Sequence, residues 1–185
     1  YGDVPLTTPE TLQKLLDLVS DNHSIALLTV NLANPTGYGR IVREAGLVQR
    51  IVEQKDANEQ EKQITEVNTG ILCVPNCHLH QWLPSLKNNN AQGEYYLTDV
   101  IALAVQQGLT VHSYQPQAAW EVEGINDKLQ LSALERVYQR LQAEKLMRDG
   151  ATIIDPARFD IRGTATIGMD VFFDVNVLLE GDNHF

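Results

Sequence analysis

The chain has 185 residues, 43% of them hydrophobic, enough for one sizeable core or for one core with a small appendage. Its 14 Lys and Arg against 24 Asp and Glu leave a formal net charge of -10, a surface that repels nucleic acid and anionic lipid. A small phosphorylated substrate stays open because a divalent cation can reverse the local sign, whereas no apolar run approaches a membrane span and no signal peptide is visible.

The sequence opens at Tyr1-Gly2-Asp3 without a methionine, so its true start is expected elsewhere. Thr7-Thr8-Pro9-Glu10 predicts a helix start, with a Thr cap, a first-turn Pro and an early acid. Leu12, Leu15, Leu16 and Val19 then recur at helical spacing. Ile25 to Val30 reads as a strand buried on both faces. Gly39 to Arg43 and Leu47 to Glu53 flank the short turn Glu44-Ala45-Gly46 and predict a hairpin. Asn68 to Pro75 is a further strand. It runs into Cys73-Val74-Pro75-Asn76-Cys77-His78-Leu79-His80, which could hold zinc but lacks the second distant ligand pair of structural sites. The plainer reading packs Cys73 as a small apolar strand residue and leaves the histidines in a surface loop. Two free thiols suit a reducing cytosol.

Thr98 is placed to cap a helix running to Gln107, with Gly108 ending it, and Leu109 to Tyr114 returns as a strand. From about Leu129 a longer helix carries Leu134, Val137, Tyr138 and Leu141 on one face and stops at Gly150. The layout is α/β with at least one antiparallel element. Beyond it, Phe159 and Ile161, Ala165 and Ile167, Val171 and Phe173, and Val177 and Leu179 repeat as apolar pairs with a period of six. Gly163, Gly168 and Gly181 fall near the corners. This is the pattern of a left-handed parallel β-helix, in which three short faces close a coil. Such a solenoid needs several coils, so a longer parent is expected.

Gly2-Asp3 at a strand end would let a ligand approach the backbone and would offer a carboxylate for Mg2+. Asn34-Pro35-Thr36-Gly37-Tyr38-Gly39-Arg40 is a loop whose glycines permit a sugar or phosphate to come close. Glu53 in Ile-Val-Glu-Gln-Lys-Asp, Asn68 in Glu-Val-Asn-Thr-Gly, the polar run Asn88 to Asp99, and Asn126 in Glu-Val-Glu-Gly-Ile-Asn add groups able to recognise hydroxyls and amides. In this order, from Tyr1 to Gly181, the segments resemble the bacterial N-acetylglucosamine-1-phosphate uridylyltransferase family. Asp155 to Asp160, Asp-Pro-Ala-Arg-Phe-Asp, resembles that family's join to its β-helix.

The resemblance implies a Rossmann-like mixed-sheet nucleotidyltransferase followed by the first coils of a left-handed parallel β-helix. Residues 1–127 would be the later part of the uridylyltransferase domain, 128–152 a linker helix, and 153–185 the start of the acetyltransferase β-helix. Asp3 and Asn126 would hold the catalytic Mg2+, with Tyr1 and Gly2 lining the nucleotide sugar beside Asp3. Gly39, Glu53 and Asn68 would contact the N-acetylglucosamine part, with Tyr96 and Thr98 as further candidates. The implied reaction joins UTP and N-acetylglucosamine 1-phosphate into UDP-N-acetylglucosamine and pyrophosphate. The parent would also acetylate glucosamine 1-phosphate with acetyl-CoA, assemble as a homotrimer, and serve peptidoglycan and lipopolysaccharide synthesis in the cytoplasm, without membrane insertion. The family's glycine-rich triphosphate loop is not in these 185 residues, so the isolated chain is expected to be inactive. Two other readings are a catalytically silent nucleotidyltransferase-like subunit and a β-helix acyltransferase piece with an unrelated front end.

Overall fold

A computed structural model describes the protein at residues 2–19 and 21–185. The chain divides into two compact units. One is Thr7–Glu123; the other is Gly124–Phe185 together with the amino-terminal residues up to Leu6.

The first unit is built on a five-stranded mixed sheet. Helix α1 (Pro9–Asp17) starts as its sequence dictates, with the Thr8 hydroxyl accepting from the Thr11 N–H at 3.2 Å. Only one stripe of it packs: Leu15 is buried, whereas Leu12 and Leu16, expected on the same face, are exposed. Strand β1 (Ser24–Asn31) follows, then the hairpin β2 (Arg40–Glu44) and β3 (Leu47–Val52), β4 (Glu66–Cys73), helices α2 (Asn76–Trp82) and α3 (Asp99–Gln106), and β5 (Thr110–Tyr114). The strand order is β3-β2-β4-β1-β5, in which only the β1–β5 pair is parallel. Ala45 and Gly46 both take positive φ, 48° and 83°, and so close the hairpin with the twist its strands need.

The continuous apolar run of β1 is explained by its place near the middle of the sheet. Ile25 and Leu27 enter a core with Trp82, Val100 and Ile101. Ala26, Leu28 and Val30 enter a second core with Leu15 and Val67. Successive side chains point to opposite faces, and both faces are covered. Cys73 lies partly buried against the second core, where burial pushes its thiol pKa up, while Cys77 is exposed. His78 and His80 are not in a loop, as expected, but on α2, where the His78 ring stacks on Trp82 at 4.9 Å.

The second unit carries α4 (Lys128–Arg148), capped by the Asp127 carboxylate accepting from the Gln130 N–H at 2.8 Å. It continues through β6 (Thr152–Ile153), β7 (Phe159–Thr166), β8 (Phe172–Phe173) and β9 (Val177–His184). β6 pairs in parallel with β8, and β7 with β9, Phe159 lying opposite Val177 and Ile161 opposite Leu179. Along β7 and β9 a residue therefore meets its partner three hexapeptides later, the repeat expected of a parallel β-helix coil, whereas the β6–β8 partners are 20 residues apart. Phe159, Phe173 and Phe185 meet in sequence, with centroids 5.1 and 5.2 Å apart. The buried side of α4 differs from the predicted one. It comprises Leu134, Gln139, Ala143 and Leu146, while Tyr138 is exposed.

Candidate active site

Of the residues assigned to the nucleotide sugar, Tyr1 lies outside the described residues, and Gly2 is exposed with open space around its Cα. Asp3 and Asn126 belong to one unit. Asp3 lies in a turn and not at the end of a strand as expected, and Asn126 lies in a stretch without regular structure. The two segments are tied by the Ile125 N–H donating to the Asp3 carbonyl at 2.8 Å. Asn126 is further fixed by its own N–H donating to Gln130 Oε1 at 2.7 Å. A Cβ on Gly124 would sit 3.8 Å from the Asp3 carbonyl oxygen and 4.0 Å from Asn126 Nδ2, so the two segments run close together. Both side chains are exposed and enter no side-chain hydrogen bond with a described residue. Their free oxygens, one carboxylate and one amide, are the hard donors that suit Mg2+. Among the described residues no cluster of three or more His, Cys, Asp or Glu is arranged to hold a metal ion.

The residues assigned to the sugar all lie in the other unit, and the fold brings them together. Gly39 precedes β2 at the point where β2, β3 and β4 come side by side. Its carbonyl accepts the Asn68 N–H at 2.8 Å. On its other side a Cβ would meet Ile51 Cγ2 at 2.9 Å and both Glu53 carboxylate oxygens at 3.3 Å. Only glycine leaves that carboxylate where it is. Asn68 pairs with Thr29 of β1, and its Oδ1 accepts the Gly70 N–H at 3.1 Å. Thr98 was expected to cap α3, yet it makes no cap bond. Its hydroxyl donates instead to Glu53 Oε1 at 2.9 Å, across 45 residues of sequence. Gly39, Glu53, Asn68 and Thr98 thus form one connected set, with one carboxylate oriented by a hydroxyl and framed by backbone.

Tyr96 stands next to this set through residues the sequence reading passed over. Its hydroxyl donates to Asp56 Oδ2 at 3.2 Å, while Asp56 Oδ1 accepts the Ala91 N–H at 2.9 Å. A cleft of about 390 Å³ lies here, lined among others by Arg50, Glu53, Asp56, Lys87, Tyr96 and Asp99. Burial, and then the neighbouring Asp56 carboxylate, push the Asp99 pKa up. The Tyr96 phenol is pushed up by desolvation and by its bond to Asp56. The signal for Asp56 was its place three residues after Glu53, and for Asp99 its place beside Thr98, but neither sequence context shows a long-range partner.

No protein-family model matches the chain. Curated proteins do. The bifunctional protein GlmU of Acinetobacter baumannii (strain ACICU) is 59% identical over 182 residues, which is 98% of this chain and 40% of that protein. The GlmU of Acinetobacter baylyi is 59% identical over the same shares. That of Marinobacter nauticus is 60% identical over 183 residues, again 98% of this chain and 40% of the relative. Over almost its whole length the chain is therefore a close homologue of the bifunctional protein GlmU, and it spans 40% of the length of those relatives.

Proposed function

We propose that these residues belong to a nucleotidyltransferase that joins UTP and N-acetylglucosamine 1-phosphate into UDP-N-acetylglucosamine and pyrophosphate. The observation that carries the reading is the connected set Gly39, Glu53, Asn68 and Thr98 in a chain so similar to GlmU. Glu53, held by Thr98, accepts hydrogen bonds from sugar hydroxyls. Asn68 offers both a donor and an acceptor, and Gly39 lets the sugar approach the backbone. Tyr96 borders the same region. Gly2 and Tyr1 line the nucleotide sugar next to Asp3.

Asp3 and Asn126 would hold Mg2+, which would supply neutralisation of phosphate charge. The sugar phosphate oxygen is already ionised at neutral pH, so it attacks the α-phosphorus without a general base. The chain's own residues position the sugar and hold the metal. We assign acetyl transfer from acetyl-CoA to glucosamine 1-phosphate, and homotrimer assembly, to parts of a longer parent beyond these residues. Residues 1–127 serve as the later part of the uridylyltransferase domain, 128–152 as a linker helix and 153–185 as the start of the β-helix, in a cytoplasmic enzyme supplying peptidoglycan and lipopolysaccharide synthesis. Among the described residues no helix is long and apolar enough to cross a membrane.

The test uses the full-length protein. Asp3→Asn and Asn126→Ala should each lower Mg2+-dependent UDP-N-acetylglucosamine formation by about a hundredfold or more, the scale of losing one charge-stabilising contact. Glu53→Ala should raise the KM for N-acetylglucosamine 1-phosphate far more than that for UTP. Near-normal uridylyl transfer in both metal-ligand variants would sink the assignment.

A further inference from the structure

Arg40, the first residue of β2, is 1% exposed, an unusual place for a cation. No ion pair compensates it among the described residues, and its Nε has no partner there. Its contacts are neutral. Nη1 donates to the Tyr38 carbonyl, and Nη2 donates to Gln54 Oε1 at 2.6 Å. The same Gln54 oxygen accepts the Gly37 N–H at 3.2 Å. One guanidinium and one amide therefore hold the two residues that immediately precede Gly39. That stretch is otherwise held only by local bonds: residues 36–38 are exposed, Gly37 takes φ 91°, the Tyr38 N–H donates to the Pro35 carbonyl and the Thr36 N–H to Asn34 Oδ1, each at 3.2 Å.

Burying an unpaired cation is unfavourable for folding, and hydrophobic residues fill such positions more stably. The geometry points to another use. We propose that Arg40 and Gln54 are positioning residues for the sugar-phosphate subsite. They lock the Pro35–Tyr38 loop so that the Gly39 backbone stays against Glu53 and Asn68. A planar fork is required, because a lysine at 40 offers one ammonium that cannot address the carbonyl and the amide in fixed directions. The proposal rests on the assignment of Glu53 to the sugar made above.

Steady-state kinetics of the full-length protein test it. Gln54→Ala removes the link while leaving the buried strand residue in place. It should raise the KM for N-acetylglucosamine 1-phosphate by about fivefold to tenfold, the scale of one neutral hydrogen bond, with the KM for UTP nearly unchanged and the melting temperature lowered, because the buried Arg40 Nη2 loses its acceptor. Gln54→Glu keeps the acceptor and gives Arg40 a counter-ion, so it should restore the sugar-phosphate KM and raise the melting temperature. Arg40→Lys should resemble Gln54→Ala. An unchanged sugar-phosphate KM in folded Gln54→Ala, or an equal rise for both substrates, overturns the proposal. Glu53→Ala run in parallel separates the two failures: if it too leaves the sugar-phosphate KM unchanged, the subsite assignment is what falls. Should Arg40→Lys fail to fold, the two Gln54 variants still decide the matter.

Discussion

Each of the two units sets a glycine hard against a neighbour, and the neighbours differ in kind. In the sheet unit a Cβ on Gly39 would press on side chains, Ile51 Cγ2 and the Glu53 carboxylate. In the coil unit a Cβ on Gly163 would come within 2.2 Å of the Gly181 carbonyl oxygen and 2.8 Å of its carbonyl carbon, with φ at 142°. Side chains can turn away; a paired backbone cannot. Gly39 protects the placement of one carboxylate, and Gly163 protects the stacking of one coil on the next. The same residue type therefore serves a candidate binding site in one unit and the fold itself in the other.

That difference predicts opposite phenotypes for the same substitution. Gly163→Ala should cost about 3 kcal/mol or more, since it combines overpacking against backbone with a disfavoured φ. Thermal unfolding of the full-length protein should show it. Gly39→Ala should fold, with a much smaller loss of melting temperature, and should raise the KM for N-acetylglucosamine 1-phosphate as Glu53 is displaced. If Gly39→Ala unfolds the protein while Gly163→Ala does not, the contrast is reversed and the reading of both glycines is wrong.

Buried polar groups sharpen the contrast. Gln139 on α4 is 2% exposed. Its Nε2 donates to the Ile161 carbonyl at 2.9 Å, and its Oε1 accepts the Ile161 N–H at 2.7 Å. A side-chain amide thus imitates a neighbouring strand for β7, and every bond it offers there is structural. Gln139→Leu keeps the volume but leaves a buried N–H and a buried carbonyl unpaired, at a cost of about 2 kcal/mol. The denaturant midpoint should fall accordingly. Gln54, the comparable amide in the sheet unit, should also cost stability when replaced by Ala, because the buried Arg40 Nη2 loses its acceptor, but it should in addition raise the KM for N-acetylglucosamine 1-phosphate, which Gln139→Leu should not. An equal change in that KM at the two positions would erase the distinction.

How much of this was legible in the sequence depended on how local the cause was. The Thr8 cap, the continuous strand at Ile25–Val30, the hairpin around Ala45-Gly46 and the six-residue repeat all rest on neighbours within a few positions, and they lie where the pattern put them. Thr98 shows the limit. Its type and place announced a helix cap, but its hydroxyl found Glu53, a partner that only the fold brings near. Gln139 was hidden for the same reason, since a polar residue on a helix reads as solvent-facing until the strand beside it is known. Leu12 and Leu16 erred in the other direction: the helical period places them near Leu15, but a short helix on a sheet buries only a narrow stripe.

The smallest expected effect concerns charge, and it too separates the units. Glu66 accepts the Thr29 hydroxyl at 2.8 Å and both the Nε and Nη2 donors of Arg43 at 2.7 Å. Burial alone would raise its pKa, but the Arg43 and Thr29 bonds outweigh it and the net displacement is downward. In the coil unit Asp160 is also lowered, first by its two bonds to Arg136, each 2.8 Å. A carboxyl whose folded pKa is below its unfolded value stabilises the protein above the unfolded value. That stability is lost as pH falls through the folded one. Glu66 is 14% exposed at its side chain and Asp160 26%, and their arginines are 30% and 50% exposed, so solvent screens the coil pair more. We therefore expect Glu66→Gln to cost about 1 kcal/mol near neutral pH, and Asp160→Asn about half that. Both differences from the parent protein should shrink as the pH is taken below the ordinary carboxylate range, to about pH 3. Unfolding of the three proteins followed across that range measures this directly. A Glu66→Gln deficit that stays constant down to acid pH would mean that the variant loses packing, and that the Arg43 pair contributes no charge-dependent stability.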